Sequence, residues 1–221
     1  MSDGAPAGAF NLDDPVSPDP VTPRAYGDGY ERTPADRFGI YLSTRAVRRW
    51  VPSFAGRRIG DFGCGYNAEL TRTLLPTVRS AHLVDVSLAP DLVEHPKVVA
   101  TEGNLPDALD GLRDQSLDVI LCLSVLEHLS RPRETLAELH RLLAPGGVCL
   151  VNVPSWRGKW FLELAAFRLG MTVAEQIDDH KRYYDPKDLW PLLVEAGWRP
   201  QNIRCFRHKF GLNTFAVCRV S

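Results

Sequence analysis

From Arg57 onward, short apolar runs alternate with amphipathic stretches, and each run has the length of a single strand. The runs predict strands at Arg58–Phe62, Ala81–Asp85, Lys97–Ala100, Leu117–Leu123, Gly147–Val153, Asn202–Phe206 and Asn213–Arg219. Between them, apolar positions at helical spacing predict helices over Asn67–Leu75, Pro132–Leu143 and Pro186–Ala196. The last opens on Asp185-Pro186, a cap followed by proline at the first helical position, and stops at Gly197. Strands separated by helices imply an α/β domain, residues 57–221, with a largely parallel sheet covered on both faces. A lead-in segment, residues 26–56, carries a further helical pattern from Asp36 to Trp50 that is expected to pack on the main domain. Between Ser155 and Tyr184 a longer stretch holds Trp156, Trp160, Phe161, Leu164, Phe167 and Leu169 at helical spacing. An insertion of that kind after a strand end is where such folds build lids, although the same stripe suits a helix packed on the sheet.

Composition narrows the class. With 221 residues and 44% hydrophobic positions, the chain fits one globular domain with a substantial core. Its 26 Lys+Arg against 27 Asp+Glu leave a formal charge of −1, which argues against a broadly nucleic-acid-binding protein. The near-zero sum is uneven. Residues 1–30 hold five aspartates against Arg24 alone, a net of −4, so residues 31–221 carry +3. Six prolines fall between Pro6 and Pro34 among Gly, Ala and Asp, and residues 1–25 are expected to be a disordered tail. Cys64, Cys122, Cys149, Cys205 and Cys218 are odd in number, widely spaced and mostly set in apolar runs, as reduced thiols of a cytoplasmic protein would be. No secretory leader pattern and no apolar run of membrane-spanning length is seen.

The sharpest local signal is Arg58-Ile-Gly-Asp-Phe-Gly-Cys-Gly-Tyr-Asn-Ala68, a strand running into a glycine turn and then a helix. Gly63 and Gly65 permit left-handed backbone and close approach of a ligand, and the helix that follows offers free N–H groups. Gly63-x-Gly65-x-x-Ala68, with Asp85 about twenty residues on, also satisfies the loose dinucleotide fingerprint. Asp61 separates the readings. A carboxylate at the mouth of a pyrophosphate cradle repels phosphate, whereas beside an amino or sulfonium group it gains a charge-assisted contact. S-adenosylmethionine (SAM) has no phosphate, a cationic sulfonium, an α-amino group and a ribose diol, and Asp61 and Asp85 suit those needs. The alternatives are that Asp61 merely caps the turn, or that it points away and the loop holds a nicotinamide cofactor.

These residues resemble the class I SAM-dependent methyltransferases, specifically the small-molecule group with the type-11 motif pattern. Asp61-Phe62-Gly63-Cys64-Gly65 resembles the first motif, and Asp85-Val86 the ribose-binding acid after the second strand. Glu102-Gly-Asn104-Leu105-Pro106 is similar to the adenine-contacting segment after the third strand. Leu117 to Leu129, including Ser124 and Glu127-His128, resembles the fourth-strand motif, and Leu142 to Val153 the following helix end and fifth strand. The resemblance covers about residues 45–220 and implies a Rossmann-like fold, a seven-stranded sheet with a reversed last strand, and SAM as cofactor. Where the family often has a third glycine, Asn67 stands, a residue that tolerates left-handed backbone.

Methyl transfer asks a protein to align the acceptor, exclude water and remove a proton when the acceptor is a hydroxyl. His128, at the carboxyl end of the fourth strand, is one candidate base, since imidazole titrates near neutrality; the alternative is that it packs the next helix. Asp178-Asp-His-Lys-Arg-Tyr-Tyr184 is similar to a family segment that re-enters the site mouth, which makes His180 a rival base and Arg182, Tyr183 and Trp156 candidate acceptor contacts. Asp178, Asp179 and His180 form an incomplete metal set, and no metal is expected. Further cations and aromatics, Arg157, Lys159, Arg168, Arg204, Arg207, His208, Lys209 and Phe210, suit sugars, aromatic rings or anionic groups. Tyr26, Tyr30, Glu31 and Arg32 are candidates to close over the cofactor. The expectation is methyl transfer from SAM to an O or N of a small-molecule, carbohydrate- or lipid-linked acceptor, by a monomer or homodimer. An RNA or protein methyltransferase and a non-catalytic SAM-binding regulator stay open as alternatives.

Overall fold

Seven strands join into one sheet in which, by chain order, the third, second, first, fourth, fifth, seventh and sixth lie side by side. This is a computed structural model, and it describes residues 34–160 and 182–221. The expected tail, the lead-in residues 26–33, His180 and most of the expected lid lie outside the described residues. The strands are β1 (Arg58–Phe62), β2 (Ser80–Asp85), β3 (Val98–Glu102), β4 (Leu117–Leu123), β5 (Leu143–Pro154), β6 (Ile203–His208) and β7 (Asn213–Arg219). β1 to β5 run parallel, while β7 is antiparallel to both β5 and β6, the expected reversed last strand.

The central strands read as near-continuous apolar runs because both faces are covered. On one face, α1 (Pro34–Trp50), α2 (Glu69–Leu74) and α3 (Pro90–Val93) pack Val47, Leu74 and Leu92 against Ile59, Leu83, Leu121, Leu150 and Phe215. On the other, α4 (Pro132–Leu142) and a helix labelled α5 (Pro186–Glu195) pack Leu136, Leu139, Leu189 and Leu193 against Phe62, Val84, Ile120, Cys122 and Val151. The expected cap at Asp185 is present as a capping box with Asp188. Differences from the sequence reading sit at element ends. Helix α2 starts two residues late, because Ala68 takes a left-handed conformation (φ 40°, ψ 48°). That left-handed position is Ala68 and not Asn67, whose place in the family pattern had suggested it. Strand β3 runs on to Glu102, paired with Asp85.

Candidate functional site

Chain order in the sheet reverses between β1 and β4, so the loops leaving their carboxyl ends diverge and open a crevice. Asp61 of β1 lies beside Leu121 of β4 in register, and just beyond them Gly63 meets Val125. Contact there is tight. Gly63 has φ +73°, and a Cβ built on it would lie 2.3 Å from Cγ2 of Val125. Gly65 is also left-handed, at φ +73°. These two positions are therefore glycine for backbone reasons, which leaves the turn open to a ligand.

The two acids differ in setting. Asp85 is half-buried, and its Oδ2 accepts the Gly65 N–H at 2.7 Å while Oδ1 accepts the Val86 N–H at 2.8 Å. Each oxygen so engaged keeps a second lone pair, which matches a carboxylate that accepts from a diol. Burial raises the Asp85 carboxyl above its ordinary range, against those two N–H donors. Asp61 is buried, and its Oδ2 accepts the Thr71 hydroxyl at 2.6 Å, tying β1 to α2. Burial pushes Asp61 up to about 6; the Thr71 bond opposes that rise and the nearby Asp85 charge adds to it. Both acids place negative charge beside the glycine loop, which favours a cation and disfavours a pyrophosphate. Glycine cradle, split carboxylates and charge together fit SAM.

Other expected cofactor contacts follow the loop. Phe62 is fully buried in the core. The Cys64 thiol lies 3.9 Å from the Val84 carbonyl, and burial with Asp61 and Asp85 nearby pushes its pKa upward, so it stays protonated and is no nucleophile. After β3, Asn104 is exposed and Leu105 buried. After β4, Ser124 is left-handed (φ 61°), exposed, and bonded by Asn152 Nδ2 at 3.3 Å. His128 is half-buried in the turn beyond, its N–H donating to the Val125 carbonyl.

Trp156, Tyr183 and Arg182 do gather at the end of β5. The Trp156 and Tyr183 rings lie 5.6 Å apart, and Lys159 Nζ sits 5.8 Å from the Tyr183 centroid. Trp160 is 71% exposed, which overturns the packed-stripe expectation for that residue. Arg204 stacks 5.7 Å from the Trp50 ring, away from this mouth. Among the described residues no group of three or more His, Cys, Asp or Glu could hold a metal ion, and no helix is long and apolar enough to cross a membrane. Shallow cavities of about 300 and 280 Å³, both lined by Trp50 and Arg219, lie elsewhere than the glycine loop.

Sequence reasoning undervalued Glu127 and Lys209. Glu127 is 1% exposed at the carboxyl end of β4, and burial pushes it up to about 8. Lys209 opens the β6–β7 turn, where Lys209, Phe210 and Gly211 are all left-handed (φ 48°, 59° and 87°). Only Gly211 hinted at that turn, because Lys and Phe rarely adopt such backbone.

A family model described as a methyltransferase domain matches residues 35–202. The chain is 26% identical over 175 residues to a ubiquinone biosynthesis O-methyltransferase of Psychrobacter arcticus, covering 74% of this chain and 67% of the relative. Its namesake from Xylella fastidiosa is 26% identical over 185 residues, covering 76% and 69%. Among solved structures, a SAM-dependent methyltransferase from Archaeoglobus fulgidus has TM-score 0.58 at 15% identity, covering 84% of this chain and 99% of that one. Haemonchus contortus phosphoethanolamine N-methyltransferase 2, solved with SAM, has TM-score 0.60 at 14% identity, covering 81% and 52%. At those identities the structures attest the fold.

Proposed function

The chain belongs to the methyltransferase-domain family, as a class I SAM-dependent methyltransferase, and from that premise we propose that it methylates an oxygen or nitrogen of a small-molecule acceptor, free or carried on a carbohydrate or lipid. The observation that carries this reading is the glycine turn wedged against Val125 beside two acids; aromatic and cationic side chains gather separately at the end of β5. The names of the ubiquinone-biosynthesis relatives favour an oxygen on a small molecule.

In this reading Asp85 would hold the ribose diol, Asn104 and Leu105 the adenine, and the backbone of Phe62 to Gly65 with Val86 and Ser124 would line the cofactor. Asp61, fixed by Thr71, would act on the amino end by charge. SAM, when bound, supplies a methyl group on a sulfonium. The chain's own work is to orient the acceptor, keep water out and take its proton. His128 is the candidate base among the described residues, with His180 its rival, and Trp156, Arg182 and Tyr183 would position the acceptor. Incubation with methyl-labelled SAM and a fractionated cell extract tests the acceptor class. Label is expected in small-molecule or lipid-extractable fractions; label confined to RNA or protein would overturn the reading.

A further inference from the structure

At the amino ends of the parallel strands, the end of the sheet away from the glycine loop, arginines gather around one tryptophan. Trp50, the last residue of α1, meets two of them. Its ring lies 5.7 Å from the Arg204 guanidinium, and Arg219 Nη2 donates a long bond to its carbonyl at 3.5 Å. Register puts both arginines on one face of the sheet. Arg204 of β6 pairs with Val217 of β7, and Arg219 stands two residues further along β7. Both line a cavity of about 300 Å³, together with Trp50, Val217, Gln201 and Asn202. A second cavity of about 280 Å³ shares Trp50 and Arg219 with the first and adds Arg57 and Asp118.

Charge around this double hollow is one-sided. Asp118 is already held by Arg58, whose Nη2 and Nε donate to it at 2.6 and 3.1 Å. Arg57, Arg204 and Arg219 make no ion pair with an acid among the described residues. As diagonal neighbours on one sheet face, Arg204 and Arg219 repel each other, and an anion between them removes that repulsion. The ring contact spends none of the N–H donors of Arg204, a planar fork that fits the oxygens of a phosphate or carboxylate.

We propose that the hollow is a second binding site, apart from the methyl-transfer site, and that it takes a small molecule bearing a diphosphate. One phosphate is held between Arg204 and Arg219 and the other between Arg219 and Arg57, so Arg219, common to both cavities, contacts both. Phosphate is favoured over carboxylate by charge: each phosphate carries about −1.5 to −2 near pH 7, against a single charge on a carboxylate, and three arginines wait unpaired. The same ligand is repelled at the glycine loop by Asp61 and Asp85. The two ends of the sheet thus sort a cationic cofactor from an anionic ligand. None of the residues assigned to methyl transfer takes part, so the site stands or falls independently of that reading.

Calorimetry on the full chain at low ionic strength tests this with inorganic pyrophosphate, orthophosphate, succinate and a short single-stranded oligonucleotide as probes. Pyrophosphate is expected to bind about tenfold or more tightly than orthophosphate or succinate, because it alone of the three brings two phosphates to the two cavities. Arg219→Met should weaken pyrophosphate about tenfold or more, and Arg219→Lys, which keeps the charge without the fork, should regain part of that loss. Arg133→Met, which removes a cation paired with Glu195 on the other face of the sheet, should change it less than about twofold. Circular dichroism of each variant separates lost binding from lost fold. Absent pyrophosphate binding, equal binding by Arg219→Met, or displacement of pyrophosphate by S-adenosylhomocysteine would overturn the site. Succinate binding as tightly as pyrophosphate would overturn the diphosphate, and an oligonucleotide binding more tightly through Arg219 would overturn the small molecule.

Discussion

Gly63 shows how one residue couples backbone to ligand. A methyl group there would meet Val125 at 2.3 Å in a backbone region that side chains rarely adopt. Gly63→Ala is therefore expected to cost about 1–3 kcal/mol, seen as a lower urea midpoint, and to weaken S-adenosylhomocysteine binding along with it. His128 is the residue whose role is most open to direct test. If it takes the acceptor's proton, His128→Ala should leave cofactor affinity intact and slow turnover of the acceptor found by labelling by roughly a hundredfold. Near-normal turnover would move the role to His180.

At the scale of elements, the Asp61–Thr71 bond is what fastens α2 beneath the glycine loop. Helix α2 has six residues and an N-cap without a side-chain bond, so it depends on tertiary contacts. Thr71→Val leaves a buried carboxyl short of its donor and should destabilise the protein by about 1–3 kcal/mol in chemical denaturation. The same elements show what the sequence made legible. The apolar runs at β1, β4 and β7 coincide with the observed strands end to end, because period and length alone specify a strand buried on both faces. The glycine turn and Asp85 were legible since their residue types are required by backbone geometry and charge. The β6–β7 turn was not, because Lys209 and Phe210 take left-handed backbone against local preference in a turn that Ser155 ties down at Gly211 and Leu212. Burial of Glu127 was equally hidden, as its local sequence is that of any strand end.

Over the whole molecule, the −1 charge divides into an acidic first thirty residues and a body of +3. Within that body the acids Asp61 and Asp85 lie beside the glycine loop, while Lys159 lies over Tyr183, Arg182 acts on Tyr184 and Arg157 lies against Gly211 of the β6–β7 turn. Buried acids make folding pH-dependent. Glu127 has a folded pKa raised to about 8, so the folded state binds more protons than the unfolded chain and stability falls as pH rises toward 8. Half-buried His82, His140 and His208 are lowered and act in the opposite sense below about 6.5, so the comparison is made with a variant. Relative to Glu127→Gln, wild type should lose roughly 2 kcal/mol or more between pH 5 and pH 8, measured by urea unfolding across that range. A flat difference would place Glu127 in contact with water.

We propose that the glycine loop with its two acids holds SAM. Isothermal titration of wild type and Asp85→Ala with S-adenosylhomocysteine and with NAD tests it most directly. Binding of S-adenosylhomocysteine at micromolar order, about tenfold or more weaker in Asp85→Ala, with no heat from NAD, is the predicted result. Preference for NAD, or equal affinity of Asp85→Ala and wild type for S-adenosylhomocysteine, would contradict it.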